Sequence, residues 1–184
     1  HFTTSLADAM QGVDAVFIAV GTPPSVIDGQ ADLTYVFEAA KEIAQHISGY
    51  TVIVNKSTVP VGTARKVEDT IRQANPHADF DVVSNPEFLR EGAAIDDFLH
   101  PDRVVVGTTS ARAEEVMRQL YRPLHINETP MLFTTPESSE IIKYASNAFL
   151  AMKITFINEV ANLCEQAGAN VQHVAKGMGL DGRI

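Results

Sequence analysis

TVIVNKSTVPVGTARKVEDTIRQANPHADFDVVSNPEF, Thr51 to Phe88, places two apolar runs, TVIVNKS (51 to 57) and DFDVVS (79 to 84), on either side of a segment with helical spacing. Runs of strand length separated by a helix, here from about Gly62 to Asn75, mark a βαβ unit and hence a parallel sheet. The alternation extends both ways. Upstream, DAVFIAV (14 to 20) is nearly continuous in apolar residues, as a strand covered on both faces should be. A helix from about Leu33 to Ile47 follows it, with Asp32 or Thr34 as cap and Val36, Phe37, Ala40, Ile43, Ala44 and Ile47 along one stripe. Downstream, RVVVGT (103 to 108), a helix from about Ala111 to Tyr121 and MLFTT (131 to 135) extend the sheet. Thr135 then serves as N-cap of a helix with Pro136 at its first position, where a missing N–H costs nothing. Neither Pro nor Gly interrupts that helix before Gly168, which gives roughly thirty residues and a length near 45 Å at 1.5 Å per residue. A helix of this length reads as a spine between two domains.

Length and composition bound the answer. The 184 residues suffice for one domain with a core, or for a domain and part of another; 45% hydrophobic and 20% charged residues describe a globular chain. A net charge of −9 without any block of like charges excludes a nucleic-acid surface or an acidic tail. The single cysteine, Cys164, lies in an apolar helical context with no cation nearby in sequence, so it reads as a buried structural thiol in a reducing compartment. No run of about 18 apolar residues and no signal-like start occur, so the chain is expected to be cytoplasmic and to have no membrane partner. HFTTSLADAMQG at the start reads as a short strand and helix in mid-fold, and GMGLDGRI closes the chain just after two glycines. The expectation is a segment of a longer protein.

Ligands of open parallel sheets bind beyond the carboxyl ends of the strands. Those exits are GTPP (21 to 24), STVPVG (57 to 62) and NPEFLREG (85 to 92), the last with two carboxylates four residues apart, Glu87 and Glu91, and Arg90 beside the second. A single proline or glycine does no more than punctuate a turn. Three polar exits offering hydroxyls, backbone N–H groups and carboxylates to one crevice exceed what turns require. The long helix adds a second signal: at 100° per residue Lys143, Asn147, Asn158 and Asn162 fall within about 100° of arc on an otherwise apolar helix, an internal polar stripe rather than a solvated face.

In this order and spacing FIAVGTPP, NKSTVPVGT, VVSNPEFLREGAAIDDFLHPDRVVVG, EIIKYASNAFLAMKITFINEVANLCE and GLDGRI resemble the UDP-glucose 6-dehydrogenase family, of the UDP-glucose/GDP-mannose dehydrogenases, over essentially the whole chain. The resemblance implies an α/β fold: a Rossmann-like, doubly wound, mainly parallel sheet, followed by the long central helix of a dehydrogenase dimer core. It divides the chain into a partial NAD-binding domain, 1–135, and the helix with the start of a dimerisation domain, 136–184. The implied reaction is the four-electron oxidation of UDP-glucose to UDP-glucuronate with NAD, through a covalent intermediate on a cysteine. By resemblance Glu87 is the general base for hydrolysis of the acyl-enzyme, Thr58 positions water and contacts the cofactor, and Thr22 lies against the dinucleotide. Lys143 stabilises the oxyanion, and Asn147 holds substrate and water. Glu91 lies at the nicotinamide side, and the stretch Glu87, Phe88, Leu89, Arg90, Glu91 lines the sugar. Arg183 reaches a substrate phosphate or ribose in a neighbouring subunit of a homodimer formed through the long helix. No metal ligands are implied.

The chain departs from the family pattern where the glycine fingerprint, the acidic residue for the ribose and the nucleophilic cysteine should be; Cys164 does not match that cysteine. Two other readings compete: a sister enzyme acting on GDP-mannose or another sugar nucleotide, and a non-catalytic dimerisation or scaffold module.

Overall fold

The protein is described by a computed structural model over residues 2–26, 29–127 and 129–184. Five strands, β1 (Ala15–Ile18), β2 (Thr51–Asn55), β3 (Phe80–Ser84), β4 (Val104–Gly107) and β5 (Met131–Thr134), form one sheet in chain order. β1, β2 and β3 are parallel, with Val16, Ile53 and Val82 in register, and β5 is parallel to β4. β4 runs against β3 through the single pair Ser84 and Gly107, so the sheet is mainly parallel and Rossmann-like. Between the strands lie α1 (Leu6–Ala9), α2 (Thr34–Ala44), α3 (Thr63–Ala74), α4 (Ala94–Leu99) and α5 (Ala111–Tyr121), the last continued by a 3₁₀ turn, Arg122–Asn127. The strand expected within residues 2–5 is not formed; there Ser5 instead caps α1 by accepting from the Asp8 N–H.

β2 is buried along its whole length because each sheet face carries its own core. On one face Ile53 packs with Ile18, Val36, Ile43, Val67 and Ile71 of β1, α2 and α3. On the other, Val52 and Val54 pack with Val83, Val104, Val106 and Met117. Each such side chain contributes about 1.5–3 kcal/mol on burial, which makes β2 the axis on which its polar exit is held. The α2 helix starts where Asp32 accepts from the Thr34 N–H and Oγ1. It stops three residues short of the expected Ile47: Gln45 and His46 N–H turn to Glu42 and Ile43 carbonyls, and the Asn75 amide donates to the Ala44 carbonyl.

The long helix α6 spans Pro136–Ala167, 32 residues, with Thr135 Oγ1 accepting from the Ser138 N–H. Gly168 ends it, and the Ala169 N–H donates to the Cys164 carbonyl. The chain forms two compact units, His1–Lys143 and Tyr144–Ile184, so the division falls inside α6. In the second unit α7 (Val171–Met178) is capped by Asn170, and Cys164 is buried. The polar stripe is internal only at Lys143; Asn147, Asn158 and Asn162 are exposed, because only the first turns of α6 belong to the unit that holds the sheet. Among the described residues no helix is long and apolar enough to cross a membrane.

Candidate active site

The exits of β1, β2 and β3 are laced together by short polar bonds. The Ile18 carbonyl accepts from the Lys56 and Ser57 N–H groups, and Ser57 Oγ donates to the Val20 carbonyl at 2.7 Å. Thr22 Oγ1 donates to the Thr58 carbonyl at 3.0 Å, fixing GTPP against STVPVG. Gly62 then takes a left-handed φ of 89°, which an L side chain adopts only with strain, and α3 begins. At the β3 exit the Asn85 N–H donates to the Asn55 carbonyl at 2.9 Å and its side-chain amide to Val105 O at 2.8 Å, so the chain leaves the sheet in one direction toward Glu87.

The first turns of α6 close this layer with three side chains. Ser139 Oγ donates to the Ser84 carbonyl at 3.1 Å. The Glu140 carboxylate accepts from the Gly62 and Ala64 N–H groups at 2.6 and 2.9 Å, satisfying the open N-terminus of α3. Burial nevertheless holds the Glu140 carboxyl above the ordinary glutamate range, against those two bonds. Lys143 Nζ donates to Glu87 Oε1 at 3.0 Å and is itself only 6% exposed. This approach is possible because β4 ends in Gly107: a Cβ there would lie 2.5 Å from the Ser139 Cβ and 2.8 Å from the Thr135 carbonyl oxygen.

Of the residues singled out in the sequence, Thr22, Thr58, Glu87, Phe88 and Lys143 converge. Thr58 Oγ1 donates toward both Glu87 oxygens at 3.3 and 3.4 Å, so the carboxylate stands between a hydroxyl and an ammonium. Phe88 lies under two cations, with Lys143 Nζ 5.4 Å and Arg103 Cζ 4.0 Å from its ring centroid. Leu89 and Glu91 are exposed in the loop that follows. Arg90 turns away to Asp97, its guanidinium forked on the carboxylate at 2.6 to 3.1 Å, which raises the Arg90 pKa and lowers that of Asp97. Asn147 and Arg183 belong to the second unit, Asn147 exposed on α6 one turn after Lys143 and Arg183 paired with Asp181.

Sequence reasoning missed two members of this layer. Glu140 was visible only as one acid in a helix, although its spacing of three before Lys143 puts both on one face. In sequence Lys56 reads as part of a strand end. Its Nζ donates to Asn85 Oδ1 at 3.2 Å and to the Tyr121 hydroxyl at 3.3 Å. Burial pushes this ammonium down to about 8, partly opposed by the Glu87 carboxylate. A charged side chain directly after a fully buried strand was the available signal. Chemically, the layer presents a carboxylate able to accept a proton, held by a hydroxyl, and an ammonium able to stabilise negative charge on an adjacent oxygen.

The NAD binding domain model of the UDP-glucose/GDP-mannose dehydrogenase family matches residues 1–125, and the central domain model of that family matches residues 137–184. The UDP-glucose 6-dehydrogenase of Rhizobium meliloti (strain 1021) is 63% identical over 186 residues, covering 100% of this chain and 43% of its own length. UDP-glucose 6-dehydrogenase TuaD of Bacillus subtilis (strain 168) is 53% identical over 184 residues, covering 100% and 39%. Among solved structures, a UDP-glucose dehydrogenase from Pyrobaculum islandicum superposes with a TM-score of 0.93 at 43% identity, over 100% of this chain and 42% of that one. A GDP-mannose dehydrogenase from Pseudomonas aeruginosa gives 0.92 at 33% identity, over 99% and 42%. The chain thus spans about two fifths of the length of the curated relatives it matches.

Proposed function

The chain belongs to the UDP-glucose/GDP-mannose dehydrogenase family, and from that premise we propose that the full-length protein oxidises UDP-glucose to UDP-glucuronate with NAD. One UDP-glucose, two NAD⁺ and one water give UDP-glucuronate, two NADH and three protons. The single observation that carries the reading is the placement of Glu87 between Thr58 Oγ1 and Lys143 Nζ, 3.0 Å from the ammonium, at the carboxyl end of a parallel strand.

The strand exits fit one part of a dinucleotide site. Thr22 and Thr58 bring hydroxyls to adjacent exits of parallel strands, and Gly21, Pro23 and Pro24 leave that backbone exposed. NAD⁺, when bound, supplies the acceptor for the electrons of each oxidation. Thr22, Thr58 and Glu91 would contact it, while the stretch from Glu87 to Glu91, with Lys143 and Asn147, would bind the sugar nucleotide, and Arg183 would reach a substrate phosphate or ribose in a neighbouring subunit. In the hydrolytic half-reaction Glu87 accepts the proton of the attacking water, Thr58 orients that water, and Lys143 stabilises the oxyanion. Asn147 holds substrate and water. The thiol that forms the acyl-enzyme is assigned to no residue of this chain, since Cys164 is buried in α6. We take residues 1–135 as the partial NAD-binding domain and 136–184 as the start of the central domain. The exposed Phe149, Leu150, Ile154 and Phe156 support a homodimer through α6; we place the protein in the cytoplasm.

The test is made on full-length protein. Wild type should release about two NADH per UDP-glucose and prefer it to GDP-mannose. Glu87→Gln should accumulate a covalent substrate adduct, visible by intact-mass spectrometry; rapid turnover without an adduct removes Glu87 from the hydrolytic step.

A further inference from the structure

The β2 exit carries a second ammonium for which the proposed reaction has no use. Lys56 Nζ, partly buried, bonds Asn85 Oδ1 and the Tyr121 hydroxyl at 3.2 and 3.3 Å and lies 5.8 Å from the Tyr121 ring centroid. The Tyr121 hydroxyl also donates to Asn85 Oδ1. Asn85 is 1% exposed, and its remaining groups are taken: the side-chain amide by Val105 O at 2.8 Å and the backbone N–H by Asn55 O at 2.9 Å. These bonds hold the Asn85 amide in its rotamer from both ends of the side chain. Only Pro86, with its locked φ, separates it from Glu87.

The Tyr121 hydroxyl alone could satisfy the Asn85 oxygen without a charge. A buried ammonium is costly unless an anion compensates it. The charged and titratable groups that face Lys56 are the Glu87 carboxylate, which favours its charge, the Lys143 ammonium, which opposes it, and the Tyr121 phenol, which burial pushes up to about 12. The compensating anion is therefore the same carboxylate that Lys143 and Thr58 hold. Two cations, Lys56 just after β2 and Lys143 on α6, therefore act on Glu87, the second in direct contact.

We propose that Lys56 is a positioning residue: by locking Asn85 together with Tyr121, its ammonium aims the Glu87 carboxylate at Thr58 and Lys143. The kinetic part of this proposal rests on the reading of Glu87 given above, whereas the geometric part does not.

Full-length protein carrying Lys56→Met is compared with wild type in two arms. In the crystallographic arm Glu87 leaves hydrogen-bonding distance of Lys143 in the variant; a Glu87 that stays on both Thr58 and Lys143 overturns the proposal. In the kinetic arm kcat with UDP-glucose and NAD⁺ falls by about 100-fold, the scale of a misplacement of roughly 1 Å, while KM changes by less than about threefold. A folded variant with wild-type kcat overturns it. Lys56→Arg keeps the charge and so restores much of kcat and moves the alkaline decline of the wild-type profile, expected near pH 8, to higher pH. An unmoved decline also overturns it. Should Lys56→Met not fold, Lys56→Gln, shorter and uncharged, takes its place in both arms. If wild type does not oxidise UDP-glucose, the functional reading fails, and the crystallographic arm still decides the position of Glu87.

Discussion

The Glu87 carboxylate meets its two partners from opposite directions, Thr58 from the β2 exit and Lys143 from α6. Removing the ammonium should leave substrate binding largely intact and raise the barrier. Lys143→Ala is expected to lower kcat by about 10²–10³, the loss typical of one oxyanion donor; steady-state kinetics in which only KM changes would reassign Lys143 to uniform binding. Lys56 has a separate signature in stability. Its folded value of about 8 lies below the roughly 10.4 of an unfolded lysine, so between the two the unfolded chain holds more protons. Stability therefore rises with pH across that window. Thermal melts of wild type against Lys56→Met should show the wild type gaining relative stability from about pH 8 to pH 10, and a difference independent of pH would place the charge in solvent. Thr58, Glu87 and Lys143 were legible in the sequence through the motifs that hold them. Lys56 and Glu140 stand in the same motifs, but the resemblance assigns them no role, and their partners, 29 to 78 residues away, show only in the fold.

At the scale of elements, the five strands were readable because short apolar runs, Val-rich in β2 and β4, alternate with helix-period segments. The direction of β4 was not, since RVVVGT reads alike both ways and only the Ser84 to Gly107 pairing sets it antiparallel to β3. The shortened α2 was equally hidden, as its stop depends on the Asn75 amide, contributed from the end of α3. The junction of β4 with α6 yields the sharpest test. With Ser139, Pro136 and Thr135 all inside 3 Å of a Cβ at Gly107, Gly107→Ala should cost on the order of 1–3 kcal/mol by overpacking, measured by urea denaturation. It should also loosen Ser139, Glu140 and Lys143 together, so kcat should fall in the same variant. Unchanged stability would show that the first turn of α6 slides freely over the sheet.

For the molecule as a whole, the 184-residue chain on its own is expected not to sustain turnover. The proposed reaction needs an accessible thiol, and Cys164 is buried; loss of a nucleophile costs several orders of magnitude. Incubation with UDP-glucose and NAD⁺, followed at the NADH absorbance, is the measurement. Sustained turnover that survives alkylation of Cys164 would sink the thiol mechanism. The bonds that Glu140 makes also have a consequence in time. Its partners Gly62 and Ala64 precede it by 78 and 76 residues. At a synthesis rate of about 5–20 residues per second, a growing chain displays the α3 N-terminus uncapped for roughly 4 to 16 seconds before the ribosome delivers the carboxylate that closes it. Glu87 likewise waits for Lys143, so the reactive layer cannot assemble until α6 has begun to emerge, and a pause in translation just ahead of Pro136 would prolong the time for which the α3 N-terminus stays uncapped.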